Sequence, residues 1–339
     1  MQNILEKTLD ELIQEFQAFK LPAFRAKQVY AWLHRKLTYD FSEMSDLSKE
    51  IRAFLPEKYS IYLPKTKKTS KSKDGTKKYL FELEDGCLIE TVFMETREER
   101  KTVCISTQVG CPLGCAFCAT GKMPFKRNLT AAEIIGQLYQ IAKEYPDISN
   151  LVFMGMGEPF LNYENVMKAV NILLSDQGAN FGQRRITIST SGIPDKIMAF
   201  AREDSQVRLA VSLNSADGKV RSELMPVNIK YPLPKLMEAV EYYISKTGRR
   251  VTLEYIMLEG VNDSEEAAEK LVRLCKKLSV TVNLITYSRV VYNFKPSPKE
   301  VVDYFVAYLN ANGIVTTVRR SRGEEIKAAC GQLAAKNKA

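Results

Sequence analysis

The chain has 339 residues, 45% of them hydrophobic, which is enough for one large core or a core with small appendages. Mean hydropathy is slightly negative and no run of about 18 apolar residues occurs, which argues against a membrane span; no basic head with an apolar stretch follows Met1, so no secretory leader is read and the chain is expected in the cytosol. Lysine and arginine number 49 against 40 acids, a net charge of +9, and that excess favours a polyanionic partner, nucleic acid first.

Residues 1 to about 55 read as helical. Leu9, Leu12, Ile13 and Phe16 fall on one helix face, and a second helix is expected around Arg25–His34. Together they form a small accessory domain over residues 1–58. An extension over 59–101 follows, with seven lysines between Lys65 and Lys78, a hairpin turn at Asp74-Gly75, and strand-like segments at 78–84 and 88–94. From about residue 102 to 333 a rhythm begins. Strands are expected at Thr102–Ser106, Asn150–Met154, Arg185–Ser189, Val207–Leu213, Val251–Met257, Thr281–Thr286 and Ile314–Arg319. Helices lie between them at 130–144, 162–175, 194–203, 232–246, 263–277 and 298–312. Alternating strands and helices imply an α/β fold with a parallel sheet and right-handed crossovers, closed or partly closed into a barrel whose chemistry sits at the C-terminal strand ends. The Lys- and Ala-rich tail after Gln332 is expected to fray.

Seven cysteines in a cytosolic chain point to metal or catalysis rather than to disulfides. Three are clustered just after the first strand of the rhythm, Cys111, Cys115 and Cys118, with C-x3-C-x2-C spacing. This spacing offers three thiolates to a four-iron cluster and leaves one iron open to a small molecule. A zinc knuckle is the competing reading, but zinc asks for four ligands, and the sole histidine, His34, lies in the N-terminal segment. Cys87, Cys104, Cys275 and Cys330 each read as small buried hydrophobes. Met154-Gly-Met-Gly-Glu-Pro159 follows an apolar strand; its glycines let the backbone approach a ligand, and Glu158 is placed to accept from an amine. The plainer alternative is a tight turn with a solvated acid. Ile188-Ser-Thr-Ser-Gly192 and Val211-Ser-Leu-Asn-Ser215 also end strands, where hydroxyls and amides suit the sugar or carboxylate of a cofactor, though both residue types also cap helices. The pairs Arg184-Arg185, Arg249-Arg250 and Arg319-Arg320 with Arg322 read individually as solvated surface.

C-x3-C-x2-C together with Gly-Met-Gly-Glu-Pro resembles the radical S-adenosylmethionine superfamily. The wider set Cys104-Ile-Ser-Thr-Gln-Val-Gly-Cys111, Phe153–Pro159, Leu224-Met-Pro-Val-Asn228, Ala328-Ala-Cys-Gly-Gln-Leu333 and, near the N-terminus, Phe24–Trp32 resembles the RNA adenine C2-methyltransferases of the RlmN type over about residues 5–333. The resemblance implies a partial (β/α)6 TIM-like barrel with a helical RNA-binding accessory domain. It implies a four-iron, four-sulfur cluster on Cys111, Cys115 and Cys118, and two S-adenosylmethionine molecules per turnover. One would methylate Cys330, and the other, cleaved at the cluster, would convert that methyl group to a radical that adds to adenine. Cys104 would release the product through a transient disulfide with Cys330, and Glu90 would accept the C2 proton, with Cys104 a rival for that step. Gly157 and Glu158 would meet the cofactor's amine. Ser189, Ser212, Leu213 and Asn214 would lie along its sugar and carboxylate, with Asn214 standing where many members have histidine. Ser288 stands where members commonly have asparagine, a contact Asn283 or Asn293 would have to replace. Implied partners are 23S ribosomal RNA near the peptidyl-transferase region, transfer RNA beside the anticodon, and an electron donor such as flavodoxin, with the chain a monomer and no membrane involved. The lysine hairpin would contact phosphates. Two alternatives stand beside this: the Cfr-type relatives, which methylate C8 and confer antibiotic resistance, and a non-catalytic RNA-binding protein with a structural cluster.

Overall fold

The computed structural model describes residues 1–95, 100–276, 278–290 and 293–335. Three helices open the chain: α1 (Leu9–Ala18), α2 (Ala23–His34) and α3 (Lys49–Lys58). Thr8 caps α1 in a reciprocal box with Glu11, and Ser48 caps α3. The helical unit docks on the remainder through α2. Gly178 makes room for this, since a Cβ there would lie 2.8 Å from the Tyr30 ring and 3.2 Å from His34. His34 Nδ1 shares a 2.8 Å hydrogen bond with the Tyr139 hydroxyl, and Lys168 pairs with Glu11 at 2.7 Å.

Next come β1 (Lys65–Lys71), β2 (Lys77–Glu82) and β3 (Leu88–Glu95), antiparallel neighbours, the first two joined by the Asp74-Gly75 turn. The Asp74 carboxylate accepts from Thr76 N at 3.0 Å, and Gly75 takes φ +86. The rhythm that follows is β4 (Lys101–Cys104), α4 (Ala131–Ala142), β5 (Asn150–Phe153), α5 (Tyr163–Leu174), β6 (Ile186–Thr190), α6 (Pro194–Phe200), β7 (Arg208–Ser212), α7 (Gly218–Leu224), α8 (Val227–Lys230), α9 (Leu233–Thr247), β8 (Val251–Met257), α10 (Glu265–Cys275), β9 (Val280–Thr286), α11 (Lys299–Ala311) and β10 (Thr316–Arg319). Strands β4 to β10 are all parallel, in sequence order, and β1–β3 continue the same ten-stranded sheet. Seven parallel strands with helical crossovers curl into a barrel that does not close, so the expected partial barrel is present with one strand beyond six. The central strands β7 and β8 are mainly apolar because helices cover one face and the barrel interior the other, whereas the edge strand β10, Thr-Thr-Val-Arg, is partly exposed. Helices α7 and α8, which fall on the Leu224–Asn228 motif, were not expected from the sequence.

The sheet does not close on itself: its free edges are β10 and β1. Residues 320–335 cross the gap as a strap. Gly323 N donates to Asp74 Oδ2 at 3.1 Å, Lys73 N to Glu325 Oε1 at 2.8 Å, and Ala334 N to Glu90 Oε2 at 2.8 Å. The expected fraying after Gln332 does not hold for residues 333–335. Leu333 is buried and its carbonyl accepts from the Thr120 hydroxyl at 2.7 Å, while 336–339 lie outside the described residues, as does the last residue of the helix expected over 263–277. No helix among the described residues is long and apolar enough to cross a membrane.

Burial without a charged partner pushes the His34 imidazole down to about 3, so it stays neutral in the fold while an unfolded chain protonates it below about 6.5. The unfolded state therefore binds more protons between those values, and stability rises with pH across that window. From pH 8 to pH 5 this one group should cost about 2 kcal/mol, and His34→Gln should remove that part of the pH slope in urea denaturation.

Candidate active site

Three loops at the C-terminal strand ends meet over the barrel mouth. The cysteine loop leaves β4, and its entry is set by a short ladder in which Gln108–Val109 pairs with Arg127–Asn128. Gly110 takes φ +78, and a Cβ there would fall 2.2 Å from Pro124 O. Only glycine lets the chain turn into Cys111 under that segment. Cys111, Cys115 and Cys118 are close enough for their charges to act on one another, and burial pushes all three thiols up, Cys111 to about 12. Yet among the described residues no three Cys, His, Asp or Glu side chains converge tightly enough for a single metal ion. Zinc asks for a fourth ligand, and His34, the histidine such a site would need, lies on α2 bonded to the Tyr139 hydroxyl, so the donor set fits a cluster held by three thiolates. Its ligation would expel the protons that burial now retains.

The Gly155-Met-Gly157 turn passes directly over the same loop. A Cβ on Gly155 would lie 2.6 Å from Ile105 O, and one on Gly157, at φ +103, 2.6 Å from Gln108 Cβ. Glu158 is buried, not solvated, and burial raises its carboxyl above the ordinary range. It accepts from Phe160 N at 3.0 Å, the Thr190 hydroxyl at 2.7 Å and Ser191 N at 2.7 Å, so it ties the ends of β5 and β6 together as well as facing the mouth. Ser189 and Ser212 point at one acceptor, the buried Glu254 on β8, at 2.6 and 3.5 Å. Leu213 is buried, its N–H donating to the Glu254 carbonyl at 2.9 Å. Asn214 takes φ +57; its side-chain oxygen accepts from Ile256 N at 2.9 Å and its amide donates toward Met225 Sδ at 3.2 Å, which makes it a brace between β7 and β8. Ser288 is buried with an unpartnered hydroxyl. Neither named substitute joins it: Asn283 accepts from Thr317 low on β9, and Asn293 is exposed.

Below the mouth a cavity of about 330 Å³ occupies the barrel interior, and both Cys104 and Cys330 line it. The strap brings Cys330 there: Ala119 N, just past Cys118, donates to Gly331 O at 2.7 Å. Cys104 is buried and its thiol is pushed up to about 12, first by burial and then by Cys330. Glu90, on the same inner face of β3 as the cavity residue Val92, pairs with Lys78 at 2.8 Å and also receives Ala334 N. Thus Lys78 and Lys77, which pairs with Glu144, do not project as free phosphate contacts. Lys65, Lys68, Lys71 and Lys73 are exposed, and Lys67, also exposed, pairs with Glu82. Cys87 is half-buried and Cys275 buried.

Sequence reading missed three charged groups. Glu254 interrupts the apolar run Val251–Met257, and that interruption was the available signal. Arg319 was read as surface, but the residue is half-buried and lines the thiol cavity, and its guanidinium is raised first by Cys330 and also by Glu254 and Cys104. Arg221, 1% exposed on α7, left no sequence signal.

A family profile described as the ribosomal RNA large subunit methyltransferase N-terminal domain matches residues 2–61, and the radical SAM superfamily profile matches 105–272. A Thermotoga neapolitana protein called "Probable dual-specificity RNA methyltransferase RlmN" is 45% identical over 100% of this chain and 99% of its own length. The chain belongs to the RlmN family of radical SAM methyltransferases. A relative of the same description from Geobacillus thermodenitrificans is 47% identical over 99% of this chain and 93% of its own. The crystal structure of a radical SAM methyltransferase from Sphaerobacter thermophilus superposes with a TM-score of 0.94 at 44% identity, covering 99% of this chain and all of that one. Membership in the RlmN family carries S-adenosylmethionine and a four-iron, four-sulfur cluster as its cofactors.

Gly157→Ala should combine an unfavourable backbone region with a clash and cost about 2–4 kcal/mol in chemical denaturation. Gly218→Ala, where nothing lies within 4 Å of the added Cβ, should be nearly neutral. Equal losses at both positions would contradict the account of the turn.

Proposed function

We propose that the chain methylates C2 of adenosine in 23S ribosomal RNA and in transfer RNA, through a methyl group carried on Cys330 and a transient disulfide with Cys104. The observation that supports this reading is the shared cavity. Two cysteines from opposite ends of the core line one space inside the barrel, next to the clustered three, and simple RNA binding needs neither. C2 of adenine is electron-poor and not nucleophilic, so covalent catalysis divides a forbidding methyl transfer into accessible steps.

Cys111, Cys115 and Cys118 would hold the cluster, Gly157 and Glu158 would face the amine of S-adenosylmethionine, and Ser189, Ser212, Leu213, Asn214 and Ser288 would lie along its sugar and carboxylate. Bound there, these groups would supply the one-electron chemistry that converts the Cys330 methyl group to a carbon radical. The protein's own part is to hold the Cys330 sulfur in the cavity with the base. After addition to C2, the base is linked to Cys330 through a methylene carbon. The adduct carries the unpaired electron, which would pass back to the bound cluster as one electron. The C2 proton is then lost, and Cys104 sulfur, giving up its own proton, attacks Cys330 sulfur to form the disulfide, while the bond between Cys330 sulfur and methylene breaks with its electron pair going to the base, where a proton completes the methyl group. Because burial keeps Cys104 protonated at neutral pH, its thiol is poorly suited to accept the C2 proton, and Glu90 is the carboxylate on the neighbouring antiparallel strand, two residues before Val92, which lies opposite Cys104. The exposed lysines of β1 and the 73–75 turn would meet phosphates, as would the accessory domain. Two S-adenosylmethionine molecules per turnover, an electron donor of the flavodoxin kind and action as a monomer complete the proposal.

With anaerobically reconstituted enzyme and protein-free ribosomal RNA, Cys330→Ala should lose methylation entirely while retaining its iron. Cys104→Ala should accumulate a protein–RNA adduct. Mass spectrometry should place the wild-type methyl group on C2; a product methylated only at C8 would overturn the assignment, and turnover by Cys330→Ala would overturn the covalent route.

A further inference from the structure

Arg221 is buried to 1% exposure, yet among the described residues no carboxylate pairs with it. One end donates from Nη2 to the carbonyls of Ser191 at 2.7 Å and Ser212 at 3.3 Å; Nη1 reaches Met225 Sδ at 3.6 Å; Nε has no partner. An unpaired buried cation costs several kcal/mol, so its retention asks for an anion. A Cβ on Gly192, at φ +106, would lie 2.9 Å from the Leu236 methyls and 3.3 Å from Nη2, so the glycine leaves space for both side chains. The group whose charge acts on Arg221 is Cys115, and α7, which carries Arg221, is joined to the cysteine loop by Ala116 N donating to Leu224 O at 2.9 Å. A cluster held by three thiolates is net negative and takes a further electron on reduction.

We infer that Arg221 is the buried counter-charge of the iron–sulfur cluster, standing behind Cys115 and easing the one-electron reduction that starts the reaction. This rests on the three-cysteine cluster of the proposed function. A plain structural tie between the ends of β6 and β7 would need the hydrogen bonds to Ser191 and Ser212 but not the charge. A fixed positive charge in a low-dielectric site favours the more negative, reduced state, and without it the potential falls.

The test compares reconstituted wild type with Arg221→Gln, which keeps a donor for Ser191 and loses the charge, and Arg221→Lys, which keeps the charge. Iron content and the midpoint potential of the cluster are measured by spectroscopically monitored redox titration. At equal iron content, Arg221→Gln should titrate at a more negative potential and be reduced several-fold less at a fixed poise, with Arg221→Lys near wild type. Unchanged potential in Arg221→Gln would overturn the inference. If Arg221→Gln takes up too little iron for titration, denaturation of the apo and reconstituted forms decides: a greater loss of stability in the reconstituted form supports the counter-charge, and equal loss in both reduces Arg221 to a tie. A wild-type chain that takes up no cluster removes the cluster reading itself, and the inference with it.

Discussion

The hydrogen bond from Ala119 N–H to the Gly331 carbonyl, 2.7 Å long, joins the two segments on which the chemistry depends. The barrel has an open side, and an open barrel exposes its interior unless something crosses the gap. The strap from β10 does so, and it is fastened at both ends: Glu325 and Gly323 to the turn after β1, Ala334 to Glu90, Leu333 and Gly331 to the residues just past Cys118. Closing the barrel and delivering Cys330 are thus one structural act. The same fastening explains why Lys78 turns inward. It pairs with Glu90, whose other oxygen holds the strap, so part of the basic hairpin serves the catalytic loop rather than the solvent.

The polar groups inside the barrel fall into opposed sets. Glu158 braces the ends of β5 and β6 while Glu254 collects Ser189 and Ser212. Arg319 faces the two cavity cysteines, and Arg221 stands behind Cys115. In a low-dielectric interior such groups are tolerable only where partners or ligands answer them. Most of the expected cofactor contacts already have protein partners. Those side chains hold the strand ends in register, and the cofactor would meet a site whose walls are already fixed.

Local signals were legible. Apolar strand segments alternating with helical ones marked the parallel sheet, Gly155 and Gly157 sit where a Cβ cannot, and the cysteine triad is written within eight consecutive residues. Long-range geometry was not. Nothing in the composition around Cys104 or Cys330 separates them from inert buried thiols, and only their family resemblance assigned them roles before the fold brought them to one cavity. Arg319 and Arg320 look alike in sequence and both border the cavity, but Arg319, the last residue of β10, is half-buried with its charge acting on the two thiols, while Arg320 is exposed. Arg221 lies on a short helix absent from the expected pattern, so its burial had no periodic signal.

The account depends most on Cys104 and Cys330 being within reach of each other while the other three clustered cysteines are occupied. Mild oxidation of the cluster-loaded protein, followed by non-reducing peptide mapping, tests this directly. A single Cys104–Cys330 linkage is predicted. Cys104 and Cys330 both remaining reduced, or Cys330 linking to Cys118 or Cys87 instead, would contradict it.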